Sequence, residues 1–264
     1  MYAFEYKKAA SLEDAKSAFD GADDGTFMAG GMTLIPTLKQ RLAMPSDVID
    51  LGGIEGLSGI SVDGDTVIIG AMTCHADVAA SAEVKKAIPA LAYLASLIGD
   101  PQVRNRGTIG GSIANNDPAA DYPGALIGLG ATVHTPTREI SADDFFTGMF
   151  ETALEDGELV TKVTFPVPDV AAYRKFPNPA SRYAVVGAFV AKTKDGVRVA
   201  ITGAGPTVFR IPEMEAALKA SFTPGAVADI KVPQDDLNSD LHATAEYRAH
   251  LIGVMVKRAI TDCA

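Results

Sequence analysis

The stretch Arg104-Asn105-Arg106-Gly107-Thr108-Ile109-Gly110-Gly111-Ser112 constrains this chain more than any other, because three closely spaced glycines disfavour an ordinary helix or strand interior. It reads as an extended, glycine-rich segment running on through Ile113-Ala114-Asn115-Asn116 to Asp117-Pro118-Ala119-Ala120-Asp121. Glycine lets the backbone come close to an anion with no β-carbon in the way. Thr108 and Ser112 add hydroxyl donors suited to phosphate oxygens. Asn115 and Asn116 can read amide or carbonyl edges. Asp117-Pro118 sets a rigid turn that puts Asp121 where its carboxylate can accept hydrogen bonds from ribose hydroxyls. The competing reading is a glycine-rich hairpin or bulge with Asp121 as a helix cap.

A second glycine pair lies near the start of the chain, in Ala29-Gly30-Gly31-Met32-Thr33-Leu34. It follows an expected strand at Thr26–Ala29 and opens an expected helix at about Thr33–Arg41. A helix start offers unpaired N–H groups and the positive end of its dipole, both favourable to an anion. The same residues also suit a plain strand-to-helix turn. Two such loops match the two sides of one diphosphate, so a dinucleotide-like ligand is expected.

Around these loops the hydrophobic pattern gives the organisation. Strands at Tyr2–Tyr6, Thr26–Ala29 and Val48–Leu51 alternate with helices, the first capped by Ser11, which predicts a small α/β unit. Leu57–Val62 and Thr66–Gly70 form a hairpin turning at Asp63-Gly64. Helical stretches follow at His75–Ser81 and Glu83–Ile98, then a short helix at Asp121–Gly130 and strands at Ala131–His134 and Leu159–Phe165. Pro166, Pro168, Pro177 and Pro179 mark the expected boundary. Beyond it, Ala184–Thr193, Val197–Gly203 and Val208–Arg210 read as a three-stranded antiparallel meander, with helices at Pro212–Ala220 and His242–Ile260. The expected division is 1–168, itself split at about 1–55 and 56–168, and then 169–264.

Composition removes whole classes of function. Lys and Arg number 23 against 33 Asp and Glu, giving a net charge of −10, which repels nucleic acid. Two cysteines, Cys74 and Cys263, cannot build an all-cysteine iron–sulfur cluster, and no metal site is expected. The four histidines never form a His-x-x-x-His pair. Gly128/Gly130 and Gly203/Gly205 both lack the third glycine of a Rossmann fingerprint, and neither a Walker A loop nor a Gly-x-Ser-x-Gly elbow occurs. Met1–Lys8 has no leader pattern, and the apolar run Ala87–Gly99 is broken by Pro89, so a cytoplasmic protein is expected.

At the same residues the chain resembles the FAD-binding medium subunits of the molybdenum hydroxylases, of the carbon monoxide dehydrogenase and xanthine dehydrogenase type. The resemblance is carried by Gly30-Gly31, by Gln102-Val103-Arg104-Asn105 with Gly107-Thr108-Ile109-Gly110-Gly111, and by Asp117-Pro118-Ala119-Ala120-Asp121. Asp144-Phe145-Phe146-Thr147-Gly148, Gly157-Glu158-Leu159-Val160, Tyr173-Arg174-Lys175-Phe176 and Gly203-Ala204-Gly205-Pro206-Thr207 agree in order.

The resemblance implies an α+β fold: a vanillyl-alcohol-oxidase-type FAD domain of two α/β subdomains, and a small C-terminal domain. It implies FAD as cofactor, with Ala29, Gly30, Gly31, Met32 and Thr33 and the run Thr108, Ile109, Gly110, Gly111 and Ser112 cradling the diphosphate. Asp121 would hold the adenosine ribose or neighbouring polar groups, with Asn115 and Asp117 beside it. Leu159 or Val160 would pack on the isoalloxazine, and Lys175 would approach it from the C-terminal side. The resemblance also implies that Tyr183 lies near the segment that can line the flavin; by periodicity alone Leu159 and Val160 are strand core, Lys175 is a surface lysine and Tyr183 a half-buried strand aromatic.

In the family a molybdopterin-containing large subunit oxidises the substrate. An iron–sulfur small subunit relays single electrons, and the flavin subunit passes them in pairs to an external acceptor. The implied assembly is a dimer of heterotrimers, meeting a membrane only peripherally and through the complex. The alternative is a stand-alone FAD-dependent reductase, like an enolpyruvyl-sugar reductase, but no proton donor constellation for one is visible.

Overall fold

The computed structural model describes residues 1–263. The first fifty residues form a three-stranded parallel sheet in which Asp47–Asp50 lies between Glu5–Lys8 and Gly25–Met28. The helix Leu12–Asp20 starts where expected, its first turn capped by the Ser11 hydroxyl, which accepts from Asp14 N. Its core is small, built from Ala9, Ala15, Ile49 and Leu51 and closed by Leu159 from far along the chain.

A five-stranded antiparallel sheet follows. Its centre is Lys162–Pro166, paired with Thr66–Gly70 on one side and Thr132–His134 on the other. Val163 therefore sits between Ile69 and Val133, and all three are fully buried. Short helices pack on this sheet. The expected helix at Glu83–Ile98 is two helices, Ala82–Ala87 and Pro89–Ser96, because Pro89 cannot continue the first and instead opens the second.

The antiparallel C-terminal sheet is present and has a fourth strand. Val170–Pro177, read from its prolines as a connecting stretch, pairs along its whole length with Ala184–Thr193. Gly196–Thr202 and Phe209–Arg210 complete the sheet. The helices Pro89–Ser96 and Tyr122–Leu129 cover one face, and Pro212–Ala220 and Ala245–Asp262 cover the other. Ala184–Ala191 is consequently buried without alternation, as expected for a strand covered on both sides. Every residue of Tyr122–Leu129 is buried, and Gly128 lets this helix press onto Phe189: a β-carbon there would lie 2.5 Å from the ring.

Among the described residues no helix is long and apolar enough to cross a membrane, and no group of His, Cys, Asp and Glu could hold a metal ion.

Candidate functional site

The two glycine loops meet. A β-carbon on Gly30 would lie 1.8 Å from the carbonyl oxygen of Arg106, and one on Gly111 would touch the Ala29 side chain at 3.4 Å. Between the parallel sheet, the five-stranded sheet and the C-terminal sheet runs a cleft of about 600 Å³ that both loops line.

The loops contribute differently. Gly31 is left-handed, with φ of 72°, which turns the chain sharply out of its strand. Among the described residues, none of the N–H groups from Gly30 to Leu34 is used by the chain itself. Consecutive free amides around a left-handed residue form a concavity that favours an anion. The second loop is not extended as the sequence reading has it: Ile109–Asn115 is a helix capped by the Thr108 hydroxyl, which accepts from Gly111 N at 3.1 Å.

Its first amides are committed elsewhere, Ile109 N to Thr73 O at 3.1 Å and Gly110 N to Ala71 O at 2.8 Å. Gly110 is thus a glycine so that it can lie against Ala71, where a β-carbon would fall 2.8 Å from the carbonyl oxygen. What this side offers to the cleft is side chains, Thr108, Ser112 and Asn115, together with the surfaces of Gly110 and Gly111. Ile109 does not reach the cleft and is fully buried in the core.

Asn116 points away from the cleft, so it reads no ligand edge. It is left-handed, and its amide nitrogen donates to Gly148 O at 2.8 Å and Glu151 O at 2.7 Å. It clamps the hairpin Phe146–Thr152 onto the end of the glycine helix.

Asp117, Asp121, Leu159 and Val160 all lie on the cleft wall, with Ala29, Gly30, Gly31, Met32 and Thr33. Leu159 and Val160 precede their strand rather than opening it, and each is both cleft wall and buried core. Asp121 does not cap its helix through its side chain, and it is held by neighbouring polar groups. Its carboxylate accepts from the Tyr173 hydroxyl and, at 3.0 Å, from Lys175 Nζ, which also donates to Leu97 O at 2.9 Å. Burial pushes the Asp121 carboxyl up, against the pull of Lys175 and Tyr173. Lys175 is no surface lysine, since its side chain is only 4% exposed. It does not line the cleft; it holds Asp121 from behind.

The cleft wall also holds Ser181, Arg182 and His75, which the sequence reading passed over, and Tyr183, which it weighed against a strand aromatic. Tyr183, with Ser181 and Arg182, lies just before its strand on the cleft wall, and Arg182 Nη1 donates across to Gly99 O at 3.2 Å. The strand periodicity that makes Tyr183 a half-buried aromatic cannot show a loop folding back over a distant cleft. His75 lies beneath Gly107 and tilts against Tyr122, with ring centroids 5.4 Å apart. Burial, reinforced by Arg104, pulls its pKa down to about 4, so the ring is neutral at pH 7. Nothing in its sequence context sets it apart from a core histidine.

The cleft fits a flavin dinucleotide. A run of free amides awaits an anion on one side, hydroxyl and amide side chains face it, and apolar walls at Leu159 and Val160 suit an aromatic ring.

Comparison with known proteins agrees. The family described as FAD binding domain in molybdopterin dehydrogenase matches residues 2–168, and the CO dehydrogenase flavoprotein C-terminal domain matches residues 171–263. The nicotine 6-hydroxylase medium subunit of Paenarthrobacter nicotinovorans is 36% identical, over 98% of this chain and 97% of the relative. The carbon monoxide dehydrogenase medium chain of Hydrogenophaga pseudoflava is also 36% identical, over 97% of this chain and 96% of the relative. A solved structure of carbon monoxide dehydrogenase from Hydrogenophaga pseudoflava, lacking the Mo-pyranopterin moiety of its molybdenum cofactor, superposes with a TM-score of 0.89. It covers 98% of this chain and 96% of that one, at 37% identity.

Proposed function

This chain belongs to the FAD-binding medium subunits of the molybdenum hydroxylases, and from that premise we propose that it takes electrons from the iron–sulfur clusters of a small partner subunit and passes them to an external acceptor. It is an oxidoreductase subunit with FAD as cofactor. The observation that carries the proposal is the run of free amides from Gly30 to Leu34, facing Thr108, Ser112 and Asn115 across one cleft.

Each residue's task follows from its chemistry. The amides of Gly30–Leu34 would hold the diphosphate, with Thr108, Ser112 and Asn115 as donors opposite. Leu159 and Val160 give the ring a dry wall. Lys175 and Tyr173 keep Asp121 fixed beside it, and Asp117 holds its own turn by accepting from Ala119 N at 2.9 Å. Bound FAD supplies a carrier that collects single electrons and releases a pair. Cys74 and Cys263 are too few to ligate an all-cysteine cluster, and membership of the family supports clusters on a small partner chain and molybdopterin on a large one, in a dimer of heterotrimers. The proposed division of the chain is residues 1–168 for FAD and 169–264 for the C-terminal unit.

The test is to purify the chain with its partners and alone. The complex should be yellow and carry iron–sulfur signals, and the isolated chain should bind one FAD without oxidising NADPH at a useful rate. Steady NADPH turnover by the isolated chain would support the stand-alone reductase instead. A chain that takes up no FAD under any condition would end the reading.

A further inference from the structure

The loop Asp117–Asp121 puts Asp117, Ala120 and Asp121 on the cleft wall, and its own bonds, Ala119 N to Asp117 Oδ1 and Ala120 N to Asp117 O, both 2.9 Å, close only its first turn. Pro118 has no N–H, and Ala119 and Ala120 have no polar side chains. All three of the carbonyls between the aspartates are held from the far side, by the C-terminal sheet. Gly203 N donates to Pro118 O at 2.8 Å, and Ala184 N donates to Ala119 O at 3.2 Å. The hydroxyl of Thr202, wholly buried, donates to Ala120 O at 2.6 Å, with Pro118 O 3.2 Å away.

The three donors sit together at one end of adjacent strands, Ala184–Thr193 and Gly196–Thr202. Gly203 can close that end because it is a glycine. Its φ is 81°, and a β-carbon would lie 2.4 Å from Ala184 O. Behind them stands a buried guanidinium. Arg248 Nη1 donates to Val185 O at 2.6 Å and Gly203 O at 2.9 Å, and its Nη2 donates to Asp240 at 2.8 Å. The long helix Ala245–Asp262 thus fixes the strand ends that fix the loop.

We propose that Thr202 is a positioning residue for FAD: the C-terminal sheet sets the shape of the Asp117–Asp121 loop, and thereby the affinity of a cleft it does not line at that position. The inference rests on the cleft being the FAD site. Thr202 itself is absent from the cleft wall, so its influence passes through Ala120 and Pro118 to the two carboxylates.

The experiment compares wild type, Thr202→Val and Thr202→Ser by titrating flavin-free protein with FAD. Valine keeps the shape and removes the donor, leaving Ala120 O without its partner. It should weaken FAD binding about tenfold, and serine should restore most of it. At saturating FAD, the visible circular dichroism of the flavin should differ between the valine variant and wild type. A merely structural role would instead lower the melting temperature of the flavin-free protein and leave that spectrum unchanged.

Equal FAD affinity in Thr202→Val and wild type would overturn the proposal. Hydrogen exchange on wild type is an independent check that needs no variant. FAD should slow exchange of the Ala184 and Gly203 amides, and unchanged exchange would count against the brace. If wild type itself takes up no FAD, it is the assignment of the cleft that falls.

Discussion

Gly187 and Tyr173 meet with no atom to spare: a β-carbon on Gly187 would stand 2.5 Å from the phenolic oxygen of Tyr173 and 2.8 Å from Thr202 Cγ2. That phenol donates to Asp121, whose other oxygen is held by Lys175. Space left by one glycine therefore accommodates the polar network beneath the cleft. Gly187→Ala should destabilise the fold by about 1–3 kcal/mol, the usual range for an overpacked core, as read by urea unfolding. Removing the phenolic oxygen relieves the nearer of the two clashes and leaves that with Thr202 Cγ2, so the same change in a Tyr173→Phe background should cost less. Equal costs in the two backgrounds would refute the clash as the cause.

The contact between the glycine loops gives a sharper outcome. In Gly30→Ala the new methyl meets Arg106 O at 1.8 Å and its carbonyl carbon at 2.6 Å, both backbone atoms that cannot swing aside. The loops must part by more than an ångström, and losing one or two charge-assisted amide bonds to a diphosphate costs about a hundredfold in affinity. Titration should show FAD affinity falling by at least that factor while unfolding stays cooperative. Gly253→Ala is the control: its β-carbon meets nothing within 4 Å, it lies in a helix, and it should add up to about 1 kcal/mol of stability with FAD binding intact.

His75 makes stability depend on pH in a defined window. Its folded-state pKa is about 4, whereas the unfolded chain titrates near 6.5. Between those values the unfolded state binds a proton that the folded state refuses. Stability therefore falls as pH drops from 6.5 toward 4 and levels off below. The full difference amounts to about 3 kcal/mol. Urea midpoints at pH 7 and pH 4.5 should show most of it, and His75→Gln should remove this part of the slope. A variant with the wild-type pH profile would show that the ring is not the group responsible.

Asn116 offers a test of hairpin anchoring. Asn116→Asp keeps size and left-handed tolerance but replaces the donor to Gly148 O and Glu151 O with an acceptor. Loss of both bonds in a buried setting should cost about 2 kcal/mol or more. Amide exchange should accelerate first in Phe146–Thr152, before the glycine helix loosens. Uniform acceleration over the whole chain would mean the hairpin is not a separate unit of opening.

Local chemistry made the two glycine loops stand out in the sequence. Gly30-Gly31 after a strand and the block from Arg104 to Asp121 carry their meaning within a few residues, because a tight turn and a close backbone approach are properties of glycine itself. The helix Ile109–Asn115 was hidden for the same reason. Gly110-Gly111 disfavours a helix, and only the Thr108 cap with Ile109 and Ile113 buried one turn apart stabilises it.

Long-range pairings left no local signature. Asp121 and Lys175 are 54 residues apart, and each alone looks like a surface charge. Val170–Pro177 reads as a proline-rich connector, but its partner strand shows where it belongs. Tyr183 is similar: its neighbours predict a strand, and only the completed assembly carries it to the cleft.

Leu159 closes the small core of Ala9, Ala15, Ile49 and Leu51 from more than a hundred positions away. A peptide cut near residue 55 would lack the side chain that seals its own interior. Because Leu159 also stands on the cleft wall, one side chain both seals the opening segment's interior and shapes the cavity beside it.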